Sequence, residues 1–517
     1  MNKTEQRYTI LLEEILKDKA GISDKLIKNS QELLLCMEQE NQDVRKTIAA
    51  SLYQKIEGDI FYKIWLFSMV TKISSSADWV AELLKMILES EELHWQKLYF
   101  LYEQINTKIF MDSNLDTKEN VYLRWKLLEK AYMACRQEVQ ISLEKIPAQQ
   151  RNSNMAVVLV EQFLTHEHGP TKTVLDRCHT LKTVMGKQVL MINTAELMTT
   201  VGQIPFAGAL TGMYLDSQLE AETQDWKGEA IPYFQCENDM PNLQTMEVLL
   251  QTIYQLKPAI AVCVGGSSLF AGLLNELVPV LTVGTTTSGL VPTLADYQIV
   301  NHQFIEDNLN TIYRMDKPAS HFIEGNFTFS LKQQKEFVTR QELGIPEHAF
   351  VIGIVGFRLD SEISEEMIAL FERIVGEDVI IFLIGNYYIY EQCMEQHPSL
   401  RKFVYYKGYC EDVLSRIELC DLYLNPLRKG GGTSAVEAMF KGKPVLTISY
   451  GDVAGIVGEN FCCTDYEEME QQIKHYYTNQ EYYESQAIKA KEIADKYLDT
   501  EREFKRIINE YLLREEK

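Results

Sequence analysis

The spacing of apolar residues changes near residue 150, and this change constrains the fold more than any other feature of the chain. Before it, apolar residues recur three and four positions apart, as in Trp79, Leu83 and Ile87, which is typical of amphipathic helices. After it, short apolar runs alternate with helical stretches, as they do in parallel-sheet proteins. The pattern predicts an all-helical N-terminal module followed by α/β domains.

The length of 517 residues exceeds what one core supports, since single hydrophobic cores stop growing near roughly 250 to 300 residues. The helical module lacks a clean repeat, so a bundle and an irregular solenoid are both compatible with it. The predicted division is 1–150 for this module, 151–329 and 330–490 for two Rossmann-like domains, and 491–517 for a C-terminal helix able to cross back to the first domain.

Short apolar runs define the predicted strands of both sheet domains. In the first domain the predicted strands are Met155–Val160, Gln188–Asn193, Ala259–Val264, Val280–Val283 and Gln298–Asn301, with helices at Pro170–Met185 and Met246–Gln255. In the second domain they are Phe350–Val355, Val379–Ile384, Phe403–Lys407, Leu422–Asn425 and Val445–Ile448. Helical stretches between the strands favour parallel sheets in both domains.

The net charge of -23 opposes a nucleic-acid partner, because such binding depends on Lys and Arg that neutralise phosphates. The ten cysteines include no Cys-x-x-Cys pair, which argues against a zinc knuckle or a disulfide framework. The first residues carry charges within their apolar stretch, and no run reaches the roughly 18 apolar residues that a membrane span needs. We therefore expect a cytoplasmic protein without an integral membrane segment.

The segment from Asn425 to Val445 reads as strand, glycine-rich turn, short helix and strand. Gly430, Gly431 and Gly432 allow the backbone to approach a ligand closely, and the helix that begins near Thr433 directs unpaired amides and its positive dipole end there. Such a helix end binds pyrophosphate well. Glu437 follows Thr433 by about one turn, which suits hydrogen bonds to ribose hydroxyls. The alternative is an ordinary tight loop followed by a surface helix.

This segment resembles the nucleotide-sugar motif of GT-B glycosyltransferases, in particular the large retaining group of the group 1 type. The resemblance implies two Rossmann-like domains that close over a nucleotide-sugar, a ribose contact from Glu437 and a phosphate contact from Arg358. It implies the following donor-binding residues on the second domain: Tyr409, which would receive the base, Asn425, Arg428, Lys429, Gly430, Gly431, Gly432, Thr433 and Glu437.

Two positions depart from the family pattern. The lysine that often follows the arginine is missing after Arg358, and either Arg428 or Lys429 would have to replace it. The family glutamate eight residues before Glu437 is Lys429 in this chain, so the resemblance favours a retaining outcome without fixing it.

The run from His166 to Thr171 lies between a predicted strand and helix of the first domain, where the family places a loop that faces the reaction centre. His168 is therefore a candidate catalytic residue together with Arg358 and Glu437, and Gly169 is a candidate substrate contact. A histidine that only caps the next helix is the alternative. Gly266, after the strand that ends at Val264, is a weaker candidate for a donor or acceptor contact.

The resulting hypothesis is hexose transfer from a nucleoside-diphosphate sugar, with UDP-sugar favoured, to a hydroxyl of an acceptor glycan, protein or peptide. We expect no cofactor and no metal ion, because no aspartate-x-aspartate pair ends a predicted strand. A protein partner could bind through the helical module. The rival hypotheses are a non-catalytic glycosyltransferase-like subunit, which the two missing family residues favour, and a sugar-nucleotide epimerase of similar shape.

Overall fold

The computed structural model describes residues 3–17, 22–166, 168–196, 215–237, 239–285, 291–301, 317–331 and 333–515. Its contacts divide the chain into two compact units. The first draws on the described residues of Met1–Gly284, Leu290–Glu324 and Ile507–Lys517, and the second on those of Thr285–Gly289 and Gly325–Arg506.

The N-terminal region of the first unit is helical, as the residue spacing predicts. Its helices are α1 (Lys3–Lys17), α2 (Asp24–Glu38), α3 (Gln42–Tyr53), α4 (Ile60–Ser74), α5 (Ala77–Glu89), α6 (Trp95–Met111) and α7 (Lys118–Glu138). The side chains of Ser23, Asn41, Asp59 and Thr117 cap four of them by accepting amide hydrogen bonds, a common way to satisfy the first-turn amides. Helices α1 to α4 share one apolar core.

The first unit also contains a sheet of eight strands. They are β1 (Asn152–Val160), β2 (Gln188–Asn193), β3 (Thr223–Trp226), β4 (Glu229–Gln235), β5 (Pro258–Val264), β6 (Leu281–Val283), β7 (Tyr297–Val300) and β8 (Phe322–Glu324). The spatial order is β3-β4-β2-β1-β5-β6-β7-β8, and only the β3 and β4 pair among these is antiparallel. The strand order therefore reverses at β1, where Rossmann-like sheets bind ligands.

In the described part of the chain, three helices connect the strands of this sheet. They are α8 (Gly169–His179), α9 (Leu243–Leu256) and α10 (Leu269–Leu277). Helices α5 to α7 pack with α9, α10, β1 and β5 in one continuous core, so the helical region is not separate from the first sheet. Tyr132 of α7 donates a hydrogen bond to Glu276 of α10 at 2.5 Å, and Arg136 Nε donates to the same carboxylate at 2.7 Å.

The structure also differs from the predicted elements of this unit. Strands β3, β4 and β8 were not predicted from the sequence, and the hairpin of β3 and β4 makes the sheet mixed rather than purely parallel. The predicted helix Pro170–Met185 is wrong at its end, because α8 stops at His179 and one π-helical turn spans Thr180–Val184.

The second unit is built on a six-stranded sheet. Its strands are β9 (Phe350–Gly356), β10 (Val379–Gly385), β11 (Val404–Tyr406), β12 (Leu422–Leu424), β13 (Val445–Ile448) and β14 (Cys462–Cys463), in the spatial order β11-β10-β9-β12-β13-β14. Its pairs are parallel, so the carboxyl ends of the strands meet at one edge. The order reverses at β9, between β10 and β12.

Helices cover this second sheet. They are α11 (Leu359–Glu362), α12 (Glu365–Ile374), α13 (Tyr390–Gln396), α14 (Val413–Ile417), α15 (Gly432–Phe440), α16 (Gly451–Val457), α17 (Tyr466–Thr478) and α18 (Gln480–Leu498). The predicted α/β class, with two Rossmann-like sheets and a helical N-terminal region, is confirmed.

The C-terminal segment forms a last helix, α19 (Thr500–Glu515), separated from α18 by Asp499. Residues from Ile507 onward count with the first unit. There Tyr511 donates a hydrogen bond to the Pro279 carbonyl at 2.6 Å, and Arg151 pairs with Glu515 at 3.0 Å. Among the helices that the structure describes, none combines the length and the apolar character that crossing a bilayer requires.

Candidate active site

The predicted strand, turn and helix at the second sheet are present. Strand β12 ends at Leu424, and helix α15 begins at Gly432. Gly432 is also the last residue of the glycine turn, which we define as Lys429–Gly432. Gly431 is the N-cap with a φ of +102°, and no described side chain caps the helix. An α-helix leaves its first amides without a partner in the helix. In α15 these donors lie at the carboxyl edge of the sheet, where strand β12 ends.

The neighbouring helix α16 packs against the glycine turn. The backbone amide of Asp452 donates to the Lys429 carbonyl at 2.7 Å. A Cβ on Gly451 would lie 2.3 Å from the Arg428 carbonyl oxygen, and its φ is +77°. Only glycine fits that approach, so the turn has one tightly packed conformation.

Glu437 lies on α15, one turn beyond Thr433, and both residues are partly exposed. The opposite face of α15 packs into the core of the unit through Ala435, Val436 and Met439. This placement leaves Glu437 and Thr433 on the accessible side of the helix.

Arg358 follows strand β9 and is the N-cap of the short helix α11. Its side chain is 42% exposed and forms an ion pair with Glu362, with an Nη2 to Oε1 distance of 3.3 Å. It therefore presents a cation at the strand edge that also carries the glycine turn.

Tyr409 follows strand β11 and is 51% exposed. Its ring lies 5.6 Å from the ring of Phe357, which follows β9 and is 66% exposed. Sequence reasoning missed Phe357, although an exposed aromatic residue between a strand end and Arg358 was a usable signal. The two rings form an aromatic surface beside the cation.

Asn425 and Arg428, which were predicted as donor contacts, direct their side chains into the protein. Asn425 is 1% exposed and Arg428 is 8% exposed. Arg428 Nε donates to Asn425 Oδ1 at 2.9 Å, and the Asn425 amide donates to Thr447 Oγ1 at 3.1 Å. Both side chains are therefore engaged by the protein, whereas Lys429 and Gly430 are partly exposed.

The predicted residues of the first unit lie at the carboxyl edge of its own sheet. His168 precedes α8, and its Nδ1 is 3.1 Å from Thr171 Oγ1. Burial and the nearby Lys172 charge lower the pKa of His168 to about 4, so the imidazole is neutral near pH 7. Gly169 is exposed, whereas Gly266 is buried and its amide donates to the Glu161 carboxylate.

Three buried glutamates near this edge were not found from the sequence. Ser267 donates to Glu103 of α6 at 2.9 Å, and the Phe270 amide donates to Glu196 at 3.0 Å. Burial raises the pKa of Glu103 to about 8, and burial with repulsion from Glu103 and Glu196 also raises the pKa of Glu161. The strand-end amides of the first unit are thus used by its own carboxyl groups.

In the described part of the chain, no three His, Cys, Asp or Glu side chains are grouped so that they could hold a metal ion. The two units carry their candidate residues separately, with His168, Gly169 and Gly266 on the first and the other predicted residues on the second.

Residues 335–493, which form most of the second unit, match the family model described as glycosyl transferases group 1. The second unit therefore contains a group 1 glycosyltransferase domain. This match contains Arg358, Tyr409, the glycine turn and Glu437, so these candidate residues lie within the matched domain. No curated protein sequence matches the chain.

Solved structures similar to this glycosyltransferase share its fold at low sequence identity. A mutant of the O-GlcNAc transferase from Thermobaculum terrenum has a TM-score of 0.53 and 10% identity, and the match covers 100% of this chain and 98% of the other. A glycosyltransferase from Rickettsia africae ESF-5 has a TM-score of 0.51 and 10% identity, over 70% of this chain and 99% of the other. The first match includes the helical N-terminal region in the shared fold.

Proposed function

We propose that this glycosyltransferase transfers a hexose from a nucleoside-diphosphate sugar, with UDP-sugar favoured, to a hydroxyl group of an acceptor glycan, protein or peptide. The observation that carries the proposal is the N-terminus of α15, which no described side chain caps and which follows a glycine turn at the sheet edge. Aligned peptide dipoles give such a helix end partial positive charge, and phosphate groups bind there.

The donor diphosphate is held by main-chain and side-chain groups together. The amides of Gly431, Gly432 and Thr433 donate to its oxygens, and Arg358 supplies the positive charge. Fixed dipoles and a cation stabilise the charge that develops on the leaving diphosphate as the glycosidic bond breaks. Lys429, partly exposed within the turn, provides a second cation on the same edge.

The nucleoside is recognised beside the diphosphate. Glu437 accepts hydrogen bonds from ribose hydroxyls, because its carboxylate lies one helical turn beyond Thr433 on the accessible side of α15. The exposed rings of Tyr409 and Phe357, 5.6 Å apart, offer a surface for the base, which aromatic rings bind by stacking.

His168 and Gly169 contact the sugar or the acceptor in this proposal. The lowered pKa of His168 makes it a neutral hydrogen-bonding group at pH 7 rather than a cation. A base with a pKa of about 4 takes up a proton poorly at that pH, since general bases work best near the operating pH. A His168 that is a poor general base agrees with the retaining outcome that the family resemblance favours.

We also propose that transfer needs no metal ion, because Arg358 and the helix amides supply the charge that a divalent cation would otherwise provide. Assays with EDTA and with added Mg²⁺ or Mn²⁺ test this directly. Equal rates in all three are expected, and a rate that falls with EDTA and returns with metal contradicts the proposal.

The N-terminal helices are the proposed binding region for a protein partner or protein acceptor, and we place the enzyme in the cytoplasm. Ile10, Leu35 and Phe61 are exposed apolar side chains on three of these helices, which support such a contact. Cell fractionation tests the location, and recovery of the enzyme with membranes alone argues against it.

Donor binding is tested by calorimetric titration with UDP, GDP and ADP sugars together with an assay of nucleoside-diphosphate release. We expect Glu437→Ala and Arg358→Ala to weaken donor affinity by about tenfold or more, since hydrogen bonds to charged groups contribute roughly 1.5 to 3 kcal/mol. Arg401→Ala and Glu459→Ala are matched controls, because both are exposed residues of the second unit outside the glycine turn. Unchanged affinity in both site variants contradicts the proposal.

A further inference from the structure

Arg428 is a buried arginine immediately before the glycine turn, with only 8% of its surface exposed. Its guanidinium donates to Asn425 Oδ1, to Glu362 Oε2 at 2.7 Å, to the Val355 carbonyl at 2.9 Å and to the Tyr423 hydroxyl at 3.0 Å. A guanidinium with partners on all three nitrogens has little capacity left for a ligand. Its role must therefore be exerted on the protein around it.

The guanidinium of Arg428 lies directly beneath the glycine turn. A Cβ at Gly431 would meet Arg428 Nε at 2.6 Å and Nη2 at 2.7 Å. The turn is also tied to the same group through two hydroxyls, since Tyr423, which accepts from Arg428, lies 3.0 Å from Ser434 Oγ, and Ser434 donates to the Gly431 carbonyl at 3.1 Å. The conformation of the turn thus depends on where Arg428 is held.

Glu362 connects this buried arginine to the exposed one. Its Oε2 accepts from Arg428 Nη1 at 2.7 Å, and its Oε1 accepts from Arg358 Nη2 at 3.3 Å. The carboxylate is 8% exposed. Gly356 leaves room for this packing, because a Cβ there would lie 2.7 Å from Glu362 Oε2 and 3.1 Å from Arg428 Nη1.

The bridge pairs the buried arginine and also sets the net charge of this cluster. One carboxylate between two guanidinium groups leaves the cluster of Arg358, Glu362 and Arg428 with one net positive charge. A buried charge is stable only when it is paired and hydrogen-bonded, and the bridge satisfies this for Arg428 while it orients Arg358. The cation and the amides of α15 are therefore fixed relative to each other by a single side chain.

We propose that Glu362 is a positioning residue of the donor site, which acts through Arg358 and Arg428 to align the arginine and the glycine turn on the same diphosphate. The proposal rests on the proposed function, because it assumes that a diphosphate binds at this turn. It assigns Glu362 no contact with the donor.

The test compares ligands with and without the diphosphate. Wild type, Glu362→Gln and the control Glu366→Gln, an exposed carboxylate four residues away, are titrated with UDP by calorimetry and with uridine by ligand-observed NMR. Glu362→Gln keeps the shape of the side chain but removes its charge. We expect its Kd for UDP to rise by about tenfold, which corresponds to one charged interaction, while its Kd for uridine and both constants of the control stay at wild-type values.

Action through Arg358 is tested by a double-mutant cycle. In an Arg358→Ala background, Glu362→Gln should raise the Kd for UDP by a smaller factor than in wild type, since coupled residues are not additive. If Glu362→Gln is poorly folded by circular dichroism, Glu362→Asp replaces it, because the shorter carboxylate keeps the charge but cannot span both arginines. Its expected result is the same selective loss of UDP affinity.

The outcomes separate this proposal from the function on which it rests. An unchanged UDP constant in a folded Glu362 variant overturns the positioning role, and so does an equal loss of UDP and uridine affinity, which would indicate general damage. Failure of the wild type to bind UDP, GDP or ADP overturns the proposed function instead, and the positioning role falls with it.

Discussion

The two sheets differ in what binds the backbone amides at their carboxyl edges. In the first unit the edge amides of Gly266, Ser267 and Phe270 donate to the buried carboxyl groups of Glu161 and Glu196. In the second unit the corresponding edge carries a glycine turn, a helix without a described side-chain cap and an exposed arginine. The same architecture therefore yields either an edge whose amides donate to the protein's own carboxyl groups or an anion site, depending on whether the protein supplies those carboxyl groups.

The largest expected effect concerns the first unit, whose stability should depend on pH through its buried carboxyl groups. Burial raises the pKa of Glu103 from 4.5 to about 8, so the folded unit keeps a proton that the unfolded chain releases between these values. Its stability is then greatest below pH 4.5 and falls as pH rises toward 8. For a carboxyl group shifted this far, the change is on the order of 4 kcal/mol, because one pKa unit corresponds to about 1.4 kcal/mol.

Tryptophan fluorescence measures this change selectively, because all five tryptophans (Trp65, Trp79, Trp95, Trp125 and Trp226) belong to the first unit. Urea unfolding of Glu103→Gln between pH 5 and 8 should show a flatter pH dependence than the wild type. Glu89→Gln, an exposed carboxylate on α5, should keep the wild-type slope. A wild-type stability that rises with pH across this range would contradict a raised pKa of Glu103.

The second expected effect concerns the glycine turn at the carboxyl edge of the second sheet. Gly431→Ala places a Cβ against the guanidinium of Arg428 at a φ of +102°, and such strain costs about 1 to 3 kcal/mol. We expect lower stability of the second unit and a loss of donor affinity, measured by thermal unfolding and calorimetry.

Gly430→Ala is the matched control for this substitution, since a Cβ at Gly430 would meet no atom within 4 Å. Its effect on stability should stay within about 0.5 kcal/mol. Equal stability losses in the two alanine variants would show that the packing of Arg428 under the turn does not matter.

The smallest expected effect concerns the histidine of the first unit. Because the pKa of His168 lies at about 4, protonation of this residue produces no break in kcat/KM between pH 6 and 8. His168→Gln, which keeps a hydrogen-bonding group, should change kcat/KM by less than about tenfold, which is below the roughly 10²- to 10⁴-fold that general acid-base catalysis contributes. A break near pH 6.5 that disappears in the variant would assign His168 a proton-transfer role.

Part of this fold was predictable because local patterns decide it. The apolar runs of β1, β5, β9 and β10 are buried along their whole lengths or nearly so, and such runs are evident in a sequence. The hairpin of β3 and β4 was missed because β3 is short and begins with three polar residues, and because β4 contains Pro232, which is unusual inside a strand. Lys227 and Gly228 form the turn between the two strands. Both turn residues have positive φ, which a lysine does not announce.

The site was predictable where one continuous segment carries it and not where distant residues meet. The turn and Glu437 come from a single strand-turn-helix segment, and the structure has that segment. Arg428 was interpreted as a phosphate contact because its charge stands beside the glycines, but its partner Glu362 lies 66 residues earlier. Its burial depends on a tertiary contact that no local pattern reveals.

The central claim is that a donor diphosphate binds the amides of the glycine turn in the second unit and not the edge amides of the first. The most direct measurement is an NMR titration of [¹⁵N]glycine-labelled enzyme with UDP, with signals assigned by single substitutions. We expect shifts of the Gly430, Gly431 and Gly432 amides and an unshifted Gly266, whose amide donates to Glu161. UDP binding that moves Gly266 and leaves the glycine turn unchanged would contradict it.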